Sequence, residues 1–367
     1  MSTDDDPSIP PRPDEPPPAP AGPASWWPSA SPQPAGPDSG VGRAGRADRA
    51  DTAGSITRGD RPWHQQAWFR IFWIGLVLWL AAVGVTYWTA NANLIPTIVL
   101  LGSFLVPVTF ASWSFEHSRR ENHLTIERIL AAFLVGGVMG VLGASVLESY
   151  LVHPSTWMYL VVGLIEEGVK LAAVWLMARR LAAHSTLDGI VLGAAVGFGF
   201  AAFESSGYAL TALITVHGLS LRDLVSTEIL RGLLAPLGHG LWTAILGGAL
   251  FRTARRTGHL RLTGALFASY LGVSVLHALW DSMHGIALAL TLVTTGAQWQ
   301  WRLIDLGYDP RLTNQQAVLL TVYQWIGLLA ISLIGLGWLR RERARGRREE
   351  AVTGTASPTI LGAPPME

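Results

Sequence analysis

Hydrophobic residues run in long blocks separated by short polar, arginine-bearing stretches, and this pattern predicts eight membrane-length helices at approximately 71–90, 94–114, 128–147, 157–178, 187–215, 232–251, 263–295 and 315–339. The fifth and seventh are long enough to tilt or to extend beyond the bilayer. The predicted fold class is therefore all-α, a polytopic membrane helical bundle. Arginine placement tests the count. One side of the alternation holds Arg58, Arg61 and Arg70, then Arg119, Arg120 and Arg128, then Arg179 and Arg180, then Arg252, Arg255, Arg256 and Arg261, then the cluster from Arg340. The other side holds only Arg222, Arg231, Arg302 and Arg311. This bias predicts a multi-pass protein of the cell membrane with both termini cytoplasmic.

The flanks follow a different pattern. Residues 1–62 are rich in Pro, Ala, Gly and Asp and carry almost no large aliphatics, so they cannot bury enough apolar surface to offset their ordering entropy. Residues 341–367 begin with arginines and end in small residues and prolines. Both segments are expected to be disordered and cytoplasmic, flanking a membrane domain at 63–340. The chain opens acidic and proline-rich with no apolar run before Ile71, which lacks the pattern of a secretory signal.

Within the spans, Gly189, Gly193 and Gly197 recur every four residues, with Gly199 following, a ridge suited to close helix packing. Ser185 and Asp188 have the spacing of a capping box. Trp68, Trp88, Trp113, Trp157, Trp299, Trp301 and Trp338 fall near span ends, as an interfacial belt requires. Half the residues are hydrophobic and 14% charged, with a net charge of +1, which points to the lipid bilayer and away from nucleic acid as a partner. Cysteine is absent, which excludes disulfides, thiol nucleophiles and Cys-type zinc sites.

Polar groups inside the spans carry the candidate chemistry. The fourth span holds Glu166, Glu167 and Lys170, the only lysine in the chain. The fifth holds Glu204 and Tyr208, the sixth His239 and Trp242, and the seventh His277, Trp280 and Asp281. A charge at bilayer depth costs several kcal/mol and persists where it has a partner, water or a chemical task. Glu166 and Glu167 lie four and three residues before Lys170, so either can pair with the amine. Tyr208 is placed to donate to Glu204 one turn away. Asp281 shares a face with His277 and can orient the imidazole. At a rise of ~1.5 Å per residue, the four clusters lie roughly 9–16 Å inward from the outer ends of their spans. Unrelated structural polars would not converge in depth.

Four acids (Glu166, Glu167, Glu204 and Asp281) stand against one lysine. Either some are protonated or a cation is present, and the excess of acids favours a divalent metal such as zinc, held by His239, His277 and Asp281. A carboxylate left unligated then serves as general base on a bound water.

The runs Glu166-Glu167-Gly-Val-Lys170, Phe203-Glu204-Ser-Ser-Gly-Tyr208, His239 and His277-Ala-Leu-Trp-Asp281, with Val106-Pro107 through Phe115-Glu116 in the second span, resemble the PrsW family of intramembrane proteases, which shares a clan with the type II CAAX prenyl endopeptidases. The resemblance implies an all-helical membrane protease acting on a membrane-anchored, single-span substrate of the anti-sigma-factor kind, cut on the extracytoplasmic side. It implies that the Glu166/Glu167 pair is essential, with one member activating water, that Lys170 orients the pair, and that Glu204, His239 and His277 complete the site. One departure stands out: CAAX-type relatives carry a histidine where this chain has Gly207, and His239 is the residue that can replace it.

Competing readings are a proton- or cation-coupled transporter built on the same Glu, His and Lys residues, and a non-catalytic membrane interaction protein. The spans show no internal repeat of the kind many transporters carry. The full set of acids and histidines argues against degeneration. Other intramembrane protease patterns are missing: there is no His-Glu-x-x-His, no Gly-x-Gly-Asp and no Gly-x-Ser-Gly.

Overall fold

The computed structural model describes residues 62–118, 123–155, 157–181, 185–308 and 311–354. Of the two segments expected to be disordered, 1–61 and 355–367 lie outside these residues.

The apolar blocks form helices because lipid offers no partner for backbone N–H and C=O groups, so each segment must satisfy its own. The helices are α1 (Ala67–Thr89), α2 (Ile95–Ser118), α3 (Ile126–Leu134), α4 (Gly140–Leu151), α5 (Met158–Ala178), α6 (Thr186–Leu213), α7 (Leu221–Leu234), α8 (His239–Thr257), α9 (Gly264–Asp281), α10 (Met283–Thr294), α11 (Gln298–Asp305) and α12 (Asn314–Gly354). A π-helical turn, Val135–Met139, joins α3 to α4. Two short strands, β1 (Ile214–Thr215) and β2 (Gly218–Leu219), form an antiparallel hairpin that turns α6 into α7.

This is a multi-pass membrane protein of the expected all-α class. Six helical segments are long and apolar enough to cross a membrane, and α9 with α10, bent by 57° at Ser282, makes a seventh. The expected count of eight is not reached on length and composition alone. Among the described residues the expected span that does not qualify is α5, a helix of 21 residues that carries Glu166, Glu167 and Lys170. Those three groups are neutralised inside the bundle instead.

Burial separates the centre from the lipid-facing shell. In the most apolar window of α6, 89% of residues are buried, against 11% in α1. The helix α6 owes its central place to its glycines. A Cβ on Gly189, Gly193 or Gly197 would strike the backbone oxygens of Gly247, Thr243 and His239 on α8, and one on Gly199 would strike that of Phe133 on α3. Only glycine permits these approaches. Replacing Gly197 by valine should force α8, and His239 with it, away from α6. We expect a loss of about 1–3 kcal/mol, read as lowered thermal stability in detergent. An unchanged melting temperature would show that the contact tolerates a side chain.

The expected capping box is present. The Ser185 hydroxyl accepts from the Asp188 N–H at 3.0 Å, and the Asp188 carboxylate accepts from the Ser185 N–H at 3.4 Å. Asp188 also accepts from the His123 N–H at 2.7 Å, which ties the approach to α3 onto α6. Glu116 at the end of α2 accepts from the first backbone N–H of α1, that of Ala67, at 3.1 Å. Trp88, Trp157 and Trp299 are exposed at helix ends, as a belt demands.

One boundary moves. The tail expected to be disordered from 341 is helical to Gly354, because α12 continues past the membrane-length run and docks on α8. Arg252 donates to the fully buried Glu342 at 2.5 Å, Arg256 pairs with Glu349, and Gly346 packs on Thr186. Charge pairing along a helix face stabilises a segment whose composition alone reads as solvated.

Candidate functional site

Four helices deliver the polar groups. On α5, Glu166, Glu167 and Lys170 are all buried, and Lys170 and Glu167 are inaccessible to solvent. The Lys170 ammonium donates to Glu166 Oε2 at 3.1 Å, to Glu167 Oε1 at 2.7 Å and to His239 Nδ1 at 2.8 Å. It also lies 4.1 Å from the centre of the Phe200 ring. A buried ammonium with three acceptors and a ring face is fully compensated, which explains how the chain's single lysine is tolerated here.

The helix α9 approaches α5 closely because Gly163 has no side chain; a Cβ there would lie 2.7 Å from the Ser274 carbonyl. Tyr270 reinforces the contact by donating its hydroxyl to the Leu164 carbonyl at 2.7 Å. This packing brings His277 onto the glutamates. Its Nδ1 lies 3.0 Å from Glu167 Oε1, and its Nε2 lies 3.6 Å from Glu166 Oε2 and 3.3 Å from Asp281 Oδ2. With a proton on Nδ1 shared with Glu167, the Nε2 lone pair faces two carboxylates, an arrangement that calls for a second proton or an ion. Trp242 tilts over the imidazole at 4.7 Å between ring centres and closes it from solvent.

His239 opens α8 immediately after Gly238, so its position depends on the α6–α8 ridge. With Nδ1 accepting from Lys170, Nε2 is the protonated nitrogen and donates to Glu204 Oε2 at 3.1 Å. Glu204 is held from its other side by Arg231 of α7, which also donates to Ser205 Oγ at 2.9 Å and lies 4.1 Å from the Tyr208 ring centre. The guanidinium therefore takes the place beside Glu204 that spacing along the helix suggested for the Tyr208 phenol. A fixed, planar donor outcompetes a phenol for a carboxylate.

The expected residues thus converge, with one change of grouping. Glu166, His239 and His277 each offer a donor atom within 4.8 Å of the others. Glu166 Oε2 is 3.8 Å from His239 Nδ1 and 3.6 Å from His277 Nε2. Asp281, expected as the third ligand beside the histidines, stands outside this group, one turn beyond His277 and more open to solvent. Asp281 stays within reach of His277 Nε2 and lines the same cavity as His239. One carboxylate and two imidazoles suit a divalent ion such as zinc. Ligands about 2 Å from a tetrahedral ion lie roughly 3.3–3.5 Å from one another, so the three side chains must draw together from the 4.8 Å within which they now lie to share an ion. His239 Nδ1 can join such a set only when Lys170 releases it.

A cavity of about 640 Å³ opens beside these groups and is lined by Glu166, Glu204, Tyr208, Arg231, His239 and Asp281, among others. Gly207 also lines it, and nothing lies within 4 Å of where its Cβ would be. Glu167 does not line it. Sequence reasoning missed Arg231 and Glu148 as members of this cavity. Arg231 enters the sequence pattern only as one of the four arginines on the sparse side of the alternation. Glu148 sits at the end of its span, where an acid needs no special explanation.

Residues 125–303 match the family model described as PrsW family intramembrane metalloprotease. No curated protein and no solved structure matched the chain.

Proposed function

From the PrsW-family region that this membrane protein carries over residues 125–303, we propose that it is an intramembrane endopeptidase that cuts a single-span, anti-sigma-factor-like protein at the extracytoplasmic side of the cell membrane, with both its own termini cytoplasmic. The reading rests above all on the meeting of Glu166, His239 and His277, from three separate helices, with Glu166 and His239 at the wall of one cavity and His277 buried directly behind them.

The chemistry follows from reach. A peptide bond entering the cavity meets Glu166, whereas Glu167 lies behind it. Glu166 takes the proton of the attacking water, at the carboxyl oxygen not turned toward the histidines, and returns it to the leaving amine. Glu167 holds His277 through Nδ1 and anchors Lys170. Lys170 keeps the two glutamates in register and supplies the local positive charge. Arg231 and Glu204 fix the ring of His239. Glu166, His239 and His277 would hold a divalent ion, zinc being the best fit to the donor set; when bound, such an ion acidifies water and polarises the scissile carbonyl.

The test combines metal analysis of the purified protein with cleavage of candidate single-span anti-sigma factors. We expect about one ion per chain, as in zinc sites with three protein ligands, its loss in His239→Ala and His277→Ala, and cleavage that stops on chelation and returns with zinc. Cleavage that persists in rigorously metal-free protein would remove the ion from the mechanism. Full activity in both Glu166→Gln and Glu167→Gln would defeat the protease reading itself.

A further inference from the structure

The acids that line the cavity are Glu148, Glu166, Glu204 and Asp281. Three have a basic neighbour: Lys170 for Glu166, Arg231 for Glu204 and His277 for Asp281. Glu148 has none among the described residues. Its Oε1 is shielded from solvent and accepts no hydrogen bond. A shielded carboxyl oxygen without a partner is costly even near a helix end and persists where something else satisfies it.

Its position says what that is. Val141, Ala144 and Glu148 recur at helical spacing and form the α4 wall of the cavity, while Tyr159, Val162 and Glu166 do the same on α5. The two helices are consecutive and joined at 152–157, so Leu151 and Met158 mark the same end of the bundle. At ~1.5 Å per residue, Glu148 lies about 4–5 Å in from that end and Glu166 about 12 Å in, an offset of about 7–8 Å. An extended peptide advances ~3.3 Å per residue, so that offset spans two or three residues.

We propose that Glu148 is a specificity determinant that receives a lysine or arginine side chain of the substrate, two or three residues from the bond cut at Glu166. This rests on the protease reading and deepens it by naming the substrate feature. A basic side chain entering the cavity neutralises the one lining acid that forms no ion pair among the described residues, and Tyr159, which lines the same cavity, offers an aromatic ring to a cation.

The test uses full-length protein in nanodiscs and a series of single-span reporters. Each reporter has an extended segment following its membrane helix in which one position at a time is Lys, Gln or Glu. Capture is read by crosslinking to the Glu166→Gln protein, which is expected to be inactive with its fold intact, and cleavage is read with native protein. We expect Lys at one position two or three residues from the cut to raise both capture and kcat/KM by about tenfold over Gln, the scale of one close charge pair. Adding Glu148→Gln should erase the preference, and Glu148→Lys should transfer it to the Glu reporter, which also shows that the variant is folded. Equal handling of the three reporters at every position, or a Lys preference that survives Glu148→Gln, would overturn the assignment. Charge-selective capture without any cleavage by native protein would support the role of Glu148 and sink proteolysis, so the two failures are distinguishable.

Discussion

Glu166→Gln is expected to abolish cleavage and leave the fold unchanged, whereas Glu167→Gln is expected to abolish cleavage and weaken the fold as well. The two residues are neighbours in sequence but face different surroundings. Glu166 lines the cavity, and its Oε2 lies between the two histidines. An amide there keeps the shape but cannot take a proton from water, so the rate should fall by about 10²–10⁴, and any bound metal should weaken with the loss of a charged donor. Glu167 is inaccessible to solvent and uses Oε1 for both Lys170 and His277. Its amide leaves the ammonium under-compensated and the imidazole free to turn, a loss of about 1–3 kcal/mol for charged hydrogen bonds in a buried place. Cleavage kinetics alone would therefore score the two variants alike. Thermal denaturation in detergent separates them, with only Glu167→Gln lowered. An equal effect on stability from both would mean that Glu166 is as structural as its neighbour.

Lys170→Met should be the most damaging single substitution. The ammonium is the common partner of Glu166, Glu167 and His239. Removing it leaves the adjacent carboxylates of Glu166 and Glu167 without their shared cation in a buried place, and breaking a buried ion pair from one side costs about 3–5 kcal/mol. Methionine fills much of the volume, so the loss is electrostatic rather than a cavity. We expect low steady-state protein, a collapsed melting transition and no cleavage. The double variant Lys170→Met with Glu167→Gln should be more stable than Lys170→Met alone, because it removes one of the unpaired charges; groups in one network couple in this way. A Lys170→Met protein with native stability would show that the carboxylates are held neutral without the lysine.

Much of this was legible along the chain. Apolar runs marked the helices because lipid forces each segment to satisfy its own backbone. The four-residue glycine ridge marked the α6–α8 contact, and Ser185 with Asp188 marked the start of α6. Intramembrane acids and histidines marked the site, because ionisable groups are kept at such depth only where they are partnered or used. The same charges made α5 the one expected span, among the described residues, that does not qualify on length and composition. The docking of α12 beyond Arg340 was hidden, since its arginines and glutamates look solvated until Glu342 is seen buried against Arg252.

Identity, order and spacing on each helix were thus properties of the sequence, which determined an all-helical membrane protein and the residues able to do chemistry in it. Which of those residues touch was decided by helix packing. It set Glu166, His239 and His277 together, with Asp281 outside that group, brought Arg231 onto Glu204 and left Glu148 Oε1 without a hydrogen-bond partner on the α4 wall. Helical periodicity fixes only which face of its own helix a side chain occupies. The partner it meets across a gap of a few ångströms depends on crossing points between segments distant in the chain, here governed by backbone approach at Gly163 and Gly197.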